Sequence, residues 1–512
     1  MFPAFFLVRK HKKDYTIYST YTNLNVLYEE AEMIDEEIRK IKRPVNTVVQ
    51  ETGKSNVFIV RGRKGYKNGA PVNGKTVGHI IDGKYVPVSE SRKPKRLTQR
   101  DITYKYYGKV AFADLMGRDL LNDLMKQYDE ADARKIYCCA LLRASYGDIK
   151  DYQLRGKYDK SFCSELYPNV PLSKNTVSSL ISLLGRDYKG IHDFMKERIA
   201  SQIKKETEVL IDGMLKQNTS KINTFSGFSY KGRIKGVPDV SIIYAVDAKT
   251  REPICMKVYK GNLPDAANFS DFLDEFKIKQ GLIVGDKGFP MDCTQNTFKE
   301  GKVGFIRPLR RNNAAGRKLG LYDNYSILEG TEKKILCSSG KETDRKGVTR
   351  YYYCFQDVDR AEKESKDYVA RAKKKKDFTN GKYQEKKKVF GTVVFVSNME
   401  LKIESVFQYY KLRWEIETVF NSYKSVLSQT TTREHDDFSV NGSEFIDFLS
   451  TIITIRMQNK VDEKKDELKM DYSQVDESLG DIIKAKIEDT NGTWRLCTMN
   501  ANERNMLDVL GI

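Results

Sequence analysis

Apolar residues recur along this chain in two rhythms, one helical and one strand-like, and the change between them divides the sequence. From Val110 to Lys126 and from Ala131 to Ser145 the spacing predicts helices. A third helical stretch, Asp151–Leu166, precedes YPNVPLSKNTVSSLISLLG. There Ser173 is a candidate N-cap, Val177, Leu180, Ile181 and Leu184 follow at i, i+3, i+4 and i+7, and Gly185 can end the helix. The pair reads as a possible helix-turn-helix whose second helix exposes Lys174, Ser178, Ser179 and Ser182, or as a plain helical hairpin. Beyond it the rhythm turns to strands: Glu208–Leu215 (EVLIDGML), Val240–Asp247 and Pro253–Tyr259 as a hairpin through AKTRE, Gly281–Asp286 (GLIVGD), and Val303–Ile306. Helices are expected at Asn268–Lys277 and Met291–Glu300. Strands alternating with helices predict an α/β core.

The flanks are less regular. Residues 1–100 form a basic, β-like region with strands at Asn56–Arg61 and His79–Val86, a basic loop at Gly62–Gly74 and a charged linker at Arg92–Arg100. Residues 101–204 form a helical region. The core spans 205–306 and 391–430, interrupted at 307–390 by a basic, β-rich insertion with strand-like pieces at Lys334–Cys337 and Arg350–Phe355. That insertion ends in a charged run, Ala361–Lys388, with four lysines at 373–376, which reads as a solvated face or a DNA clamp. A strand at Val389–Ser397 closes it. Residues 431–512 are expected to be helical, with Phe445–Val461 apolar enough to pack on a sheet, Asp471–Lys486 more polar, and a possible dimerisation role.

The stretch Tyr410–Lys424, YKLRWEIETVFNSYK, organises the rest. At about 100° per residue, Tyr410, Arg413, Glu417 and Lys424 fall within roughly 60° of one another, with Asn421 beside them. Leu412, Ile416, Val419, Tyr423, Val426 and Leu427 cluster on another face. One side wants a core. The other presents a carboxylate between cations and a phenol, which suits a divalent cation and phosphates, or else a solvated face with i,i+4 ion pairs such as Arg413–Glu417.

Composition narrows the choice. The net charge of +19 over 512 residues suggests a polyanion partner, nucleic acid first. Eight scattered cysteines without a C-x2-C pair, and only four histidines, argue against zinc and suit a reducing compartment. The start, MFPAFFLVRKHKK, has its charges in the wrong order for a secretory signal, and no apolar run is long enough to span a membrane, so a soluble cytoplasmic protein is expected.

Two more acids join Glu417. Asp212 sits mid-strand among apolar residues, and Asp286 ends another strand. Desolvating an ionised Asp is costly without a partner, and two Mg²⁺ ions held by Asp212, Asp286 and Glu417 would offset that cost. Such a pair of metals can activate a water or a 3′-hydroxyl and stabilise the leaving oxygen of a phosphodiester. Asp247 rivals Asp212 as first ligand but sits at a hairpin tip, where Asp is common. Asp239 lies just before its strand rather than inside it. Each acid also has a plain reading: a local cap, a turn before Gly288, half of a helix ion pair.

The spacing Tyr410-x2-Arg413-x3-Glu417-x6-Lys424 resembles the Y-R-E-K signature of bacterial insertion-sequence DDE transposases. LIDG around Asp212 and IVGDKGF around Asp286 resemble that family's first and second acidic motifs, and PICMKVYKGNLPD resembles the hairpin between them. The resemblance covers about 205–430. It implies a ribonuclease H-like core in which Asp212, Asp286 and Glu417 bind two Mg²⁺ or Mn²⁺, while Tyr410, Arg413 and Lys424 hold phosphates near the cut end. Trp414, beside this face, is expected in core packing or stacked on a base. The resemblance also implies that the region before 203 recognises terminal inverted repeats on double-stranded DNA, that a homodimer forms on paired ends, and that the protein works cytoplasmically at the nucleoid. A non-catalytic DNA-binding derivative and a stand-alone ribonuclease H-like nuclease are the alternatives.

Overall fold

Strands rich in Val and Ile pair into three sheets in the computed structural model, which describes residues 34–512 apart from 55, 68–69, 89–101, 221, 230–231, 233, 264, 293–295, 300–301, 332–333, 433 and 488–491. The chain divides into two units, Met1–Thr98 and Gln99–Ile512. In the first, α1 (Glu36–Lys40) precedes a four-stranded antiparallel sheet of β1 (Thr47–Lys54), β2 (Val57–Lys67), β3 (Ala70–Ile81) and β4 (Lys84–Pro87), with Val49, Val60 and Ile80 at its core. The expected basic loop at Gly62–Gly74 is instead a long hairpin, paired out to Lys67 and Ala70. Gly74 serves close strand approach: a Cβ there would stand 2.9 Å from the Gly62 carbonyl oxygen. His79–Val86 is not one strand, because Asp82 and Gly83 turn the chain with positive φ. The expected linker at Arg92–Arg100 lies outside the described residues.

The second unit begins with β5 (Ile102–Tyr106) and the helices α2 (Gly108–Leu124), α3 (Glu130–Tyr146), α4 (Asp151–Lys160), α5 (Lys174–Arg186) and α6 (Tyr188–Gln202). Ser173 caps α5, accepting from the Thr176 amide, and Val177, Leu180, Ile181 and Leu184 are buried. The helical stretch expected at Asp151–Leu166 breaks at Ser161, leaving a separate turn at Cys163–Leu166. The connection from α4 to α5 is therefore far longer than the three or four residues of a tight helix-turn-helix. At the N-terminus of α5, Lys174 is exposed with Ser178 and Ser179, whereas Ser182 is half-buried.

Next come β6 (Glu208–Asn218), β7 (Asp239–Asp247), β8 (Pro253–Lys260), α7 (Asp265–Phe276), β9 (Gly281–Gly285) and β10 (Val303–Pro308). The sheet order is β8-β7-β6-β9-β10: an antiparallel meander, then two strands parallel to β6. That order is consistent with the expected ribonuclease H-like core. Of the helix expected at Met291–Glu300, Asn296–Lys299 is helical and Met291 and Asp292 are not, while 293–295 and 300 lie outside the described residues. The interruption adds β11 (Ser326–Ile327), β12 (Ile335–Thr343) and β13 (Thr349–Asp357). It then turns helical as α8 (Val358–Lys374) and α9 (Asn380–Lys387) before β14 (Thr392–Ser397). It is β-rich only in its first half. The charged run lacks a β-branched series and is laced with helical pairs such as Arg360–Glu364 and Lys366–Glu362. β14 pairs with both β10 and β13, so the insertion extends the core sheet to ten strands, counting β15 (Thr431–Thr432) beside β6.

Helices α10 (Ile403–Leu412) and α11 (Glu415–Asn421) lead into α12 (Asp437–Glu463), which is buried throughout from Gly442 to Ile455. α5 crosses α12 backbone to backbone: a Cβ on Gly185 would meet the Phe438 carbonyl oxygen, and one on Gly442 the Ile181 carbonyl oxygen, both under 2 Å. The end of the chain is not purely helical. After α13 (Tyr472–Gly480), the alternation of Ile483, Ala485 and Ile487 with lysines makes β16 (Ile483–Ile487), which joins β17 (Trp494–Leu496) and β5 in a third sheet ahead of α14 (Ala501–Leu510). Among the described residues no helix is long and apolar enough to cross a membrane.

Candidate active site

Strand register brings the first two acids together. The parallel ladder of β6 and β9 pairs Ile211 with Gly285, so Asp212 and Asp286 stand side by side one residue further on. Adjacent strands lie about 4.8 Å apart. Asp212 is half-buried, and its Oδ1 accepts from the Gly213 amide at 2.8 Å. Asp286, just past the end of β9, is half exposed and lies 3.6 Å from the Arg413 guanidinium. Asp247 is at the opposite end of the β6–β7 ladder, paired with Val209, and its carboxylate closes the hairpin by accepting from the Lys249 and Thr250 amides.

The third acid comes from the Tyr410–Lys424 stretch, which is not one even helix. Between α10 and α11 the turn tightens: the Trp414 and Glu417 amides bond to the Lys411 and Trp414 carbonyls, three residues back. After α11 the turn widens into a π-helix over Ser422–Val426, closed by the Leu427 amide on the Ser422 carbonyl. Ile416, Val419, Phe420, Tyr423 and Leu427 are buried as the apolar face requires, whereas Leu412 and Val426 are only half-buried. Phe420 and Tyr423 meet Tyr244 of β7 edge-on. Glu417 and Asn421 are exposed on the other side. Tyr410 packs against Phe395 at 4.9 Å between ring centres. Trp414 is not in the core: it is 54% exposed, with the Arg413 guanidinium over its ring.

Asp212, Glu417 and Lys424 line one groove of about 480 Å³, together with Gln217, Asp239 and Thr430. Burial pushes the Asp212 carboxyl up to about 6; the Gly213 amide and Arg413 pull it down, while Asp286 and Glu417 push it further up. Three oxygen-donor carboxylates that oppose one another's charge are the donor set a hard divalent cation takes. The residues fit such a cation in kind, although among the described residues no three are drawn together into a finished ligand cluster. Asp239 belongs inside β7 rather than before it. It is buried, opposite Gln217, and its Oδ2 has no hydrogen-bond partner among the described residues.

Residues 203–440 match the transposase DDE domain family. All three acids, Tyr410, Arg413 and Lys424 lie within the matched segment. No curated protein matches the chain. Among solved structures, the piggyBac transposase synaptic complex with hairpin DNA is similar at 12% identity and a TM-score of 0.37, over 79% of each chain.

Behind the DDE segment's groove lies a buried polar network absent from the sequence reading. Lys216 donates to Tyr423 Oη (2.8 Å), Glu444 Oε1 (2.6 Å) and Asp447 Oδ2 (3.2 Å), and Tyr423 donates to Glu444 Oε2. Arg143 of α3 bonds Asp447 (2.6 Å) and Asp151 of α4 (2.8 Å). Burial opposes the charge on Lys216, yet Glu444 and Asp447 hold its pKa above the ordinary value. The network ties the strand of Asp212 to the helix of Glu417. Its signal in the sequence is a lysine among apolar strand residues, and two acids at i and i+3 on an apolar helix.

Proposed function

We propose that the protein is a transposase that binds the terminal inverted repeats of a mobile DNA element and catalyses metal-dependent cleavage and strand transfer to a target. The observation that carries this reading is the pairing of Asp212 with Asp286 one step beyond Ile211 and Gly285, facing Glu417, inside a segment that matches the transposase DDE domain. Asp212, Asp286 and Glu417 would hold two Mg²⁺, with Mn²⁺ as substitute. Bound there, the ions would lower the pKa of the attacking water or 3′-hydroxyl and stabilise the leaving oxygen. Arg413, beside Asp286, and Lys424, further along the groove, would grip phosphates on either side of the cut, with Tyr410 supporting them as in the Y-R-E-K group of insertion-sequence enzymes. Glu417, exposed on its helix, has room to approach the two strand acids. The lysines at 373–376, all exposed, would clamp DNA outside the site, and residues 101–204 would recognise the repeats. A homodimer on paired ends, acting on nucleoid DNA in the cytoplasm, completes the proposal.

The test is a cleavage assay on DNA carrying the inverted repeats that flank the gene, in Mg²⁺, Mn²⁺ or EDTA, with Glu417→Gln alongside. Metal-dependent nicking at the repeat terminus, lost in the variant, is expected, followed by strand-transfer products. Nicking without transfer would favour a stand-alone nuclease. Binding without cutting in any metal would favour a non-catalytic DNA-binding derivative.

A further inference from the structure

A second groove, of about 540 Å³, opens beside the first, and Lys424 and Thr430 line both. Its far wall comes from outside the segment that matches the DDE family: Lys150 and Tyr152 at the start of α4, and Lys174 at the start of α5. Its near wall is the chain from Ser428 to Thr432, which leaves the π-turn and runs parallel to β6. The walls are fixed against each other. Gly147, with φ of 65°, brings the α3–α4 corner so close to the π-turn that a Cβ there would stand 2.6 Å from the Val426 carbonyl oxygen. Beneath, Arg143 and Lys216 join the helical region to β6 through Asp447.

The charge of this groove suits a polyanion. Lys150 and Lys174 are exposed at its rim, and Lys424 is shared with the acid-lined groove. Of its acids, Asp148 pairs with Lys150 at the exposed rim, so a phosphate there would share Lys150 with that carboxylate; Asp151 pairs with Arg143, and burial pushes Glu434 up to about 7, which weakens its negative charge near neutrality. Tyr152 is 64% exposed, a flat ring with a free face in a basic channel.

We propose that the two grooves form one track, in which the sugar-phosphate backbone of a DNA strand leaving Asp212 and Glu417 passes Lys424 and Thr430 and is held by Lys150 and Lys174, with Tyr152 stacking on a base. This rests on the transposase reading, but it names the path by which the helical region delivers DNA to the acids. It replaces insertion of the whole of α5 into a DNA groove with contacts from its first turn.

The test measures binding of the full chain to fluorescein-labelled duplexes of about 20 base pairs with a single-stranded 3′ extension, across a salt series, in EDTA. Lys150→Ala with Lys174→Ala is expected to weaken binding and lower the slope of log K against log salt by about 1.4–1.8, as two phosphate contacts require. Tyr152→Ala should weaken binding of the extended duplex about fivefold or more, with Tyr152→Phe unchanged, because stacking needs the ring and not the hydroxyl. An unchanged slope in the double-lysine variant overturns the track. So does an equal loss in Lys189→Ala with Lys196→Ala, two lysines exposed on α6 that line neither groove, since that would mark a response to net charge alone. The readout needs no cleavage. A protein that never cuts but shows the slope change keeps the track and loses the transposase reading; one that cuts without it keeps the reading and loses the track.

Discussion

Strand β6 carries two clusters of charge, one at Asp212 and one at Lys216, built on opposite terms. Around Lys216 the protein supplies both signs. Glu444, Asp447 and Arg143 are all buried, and each charge meets a counter-charge within 3.2 Å. Around Asp212 it supplies three carboxylates, with Arg413 3.6 Å from Asp286 and Lys424 in the same groove as Asp212 and Glu417. A balanced cluster is a brace. An unbalanced one, next to it on the same strand, leaves a charge for a ligand to supply. The contrast sets the braced cluster apart from the proposed site.

The largest effect expected from breaking the unbalanced side is on chemistry. Asp212→Asn, Asp286→Asn or Glu417→Gln should abolish nicking of repeat-end DNA while a gel-shift assay shows binding largely kept. Strong residual cleavage in any one of them removes that residue from the site. On the balanced side the loss should be of stability. Lys216→Met leaves Glu444 buried without its cation and Asp447 with Arg143 alone, and should cost about 3–5 kcal/mol in urea denaturation. A cost below about 1 kcal/mol would mean the brace is not held by charge.

The contrast can also be read through pH. Folded Asp212 keeps its proton up to about 6, against an ordinary value of 3.8, so between those values the folded state binds more protons than the unfolded one. Its contribution to stability therefore falls as pH rises through that window, and it stays unfavourable above it. In EDTA at pH 7, Asp212→Asn should raise the melting temperature by roughly 2–4 °C, an advantage that disappears at pH 4. Added Mg²⁺ should stabilise the natural protein at pH 7 more than the variant; equal shifts would show that the ion binds elsewhere. The smallest expected change is at the groove's edge. Lys424→Ala should lower the salt slope of DNA binding by about 0.7–0.9, and an unaltered slope would count against a phosphate contact there.

Much of this frame is legible in the sequence, because its signals are local. Short, nearly continuous apolar runs find β6 to β10, and an Asp in mid-run at 212 or at a strand end at 286 is conspicuous by its desolvation cost. The gaps from Tyr410 to Lys424 find the helix. Counting faces at a constant angle then misses the tightened turn before Glu417 and the π-turn after it, since neither leaves a mark on residue type. Trp414 is misplaced for a related reason: size suggests a core, but the tight turn leaves it outside under Arg413. The brace is invisible locally, because Lys216 meets partners more than 200 positions away. Glycines between 62 and 74 suggested a loop, where at Gly74 it is the close approach of the paired strand that needs one.

The insertion's place in the sheet limits how the chain can be cut down. β14, whose sequence is TVVFVS, has β10 on one side and β13 on the other. Trimming the chain to a minimal catalytic fragment by excising the insertion would strip β13 away and leave those apolar residues as an open, uncharged edge. Such an edge recruits other copies of itself. A shortened protein of this kind should precipitate even with every acid in place, so any truncation for expression has to keep β13 or cap β14 with a charged residue.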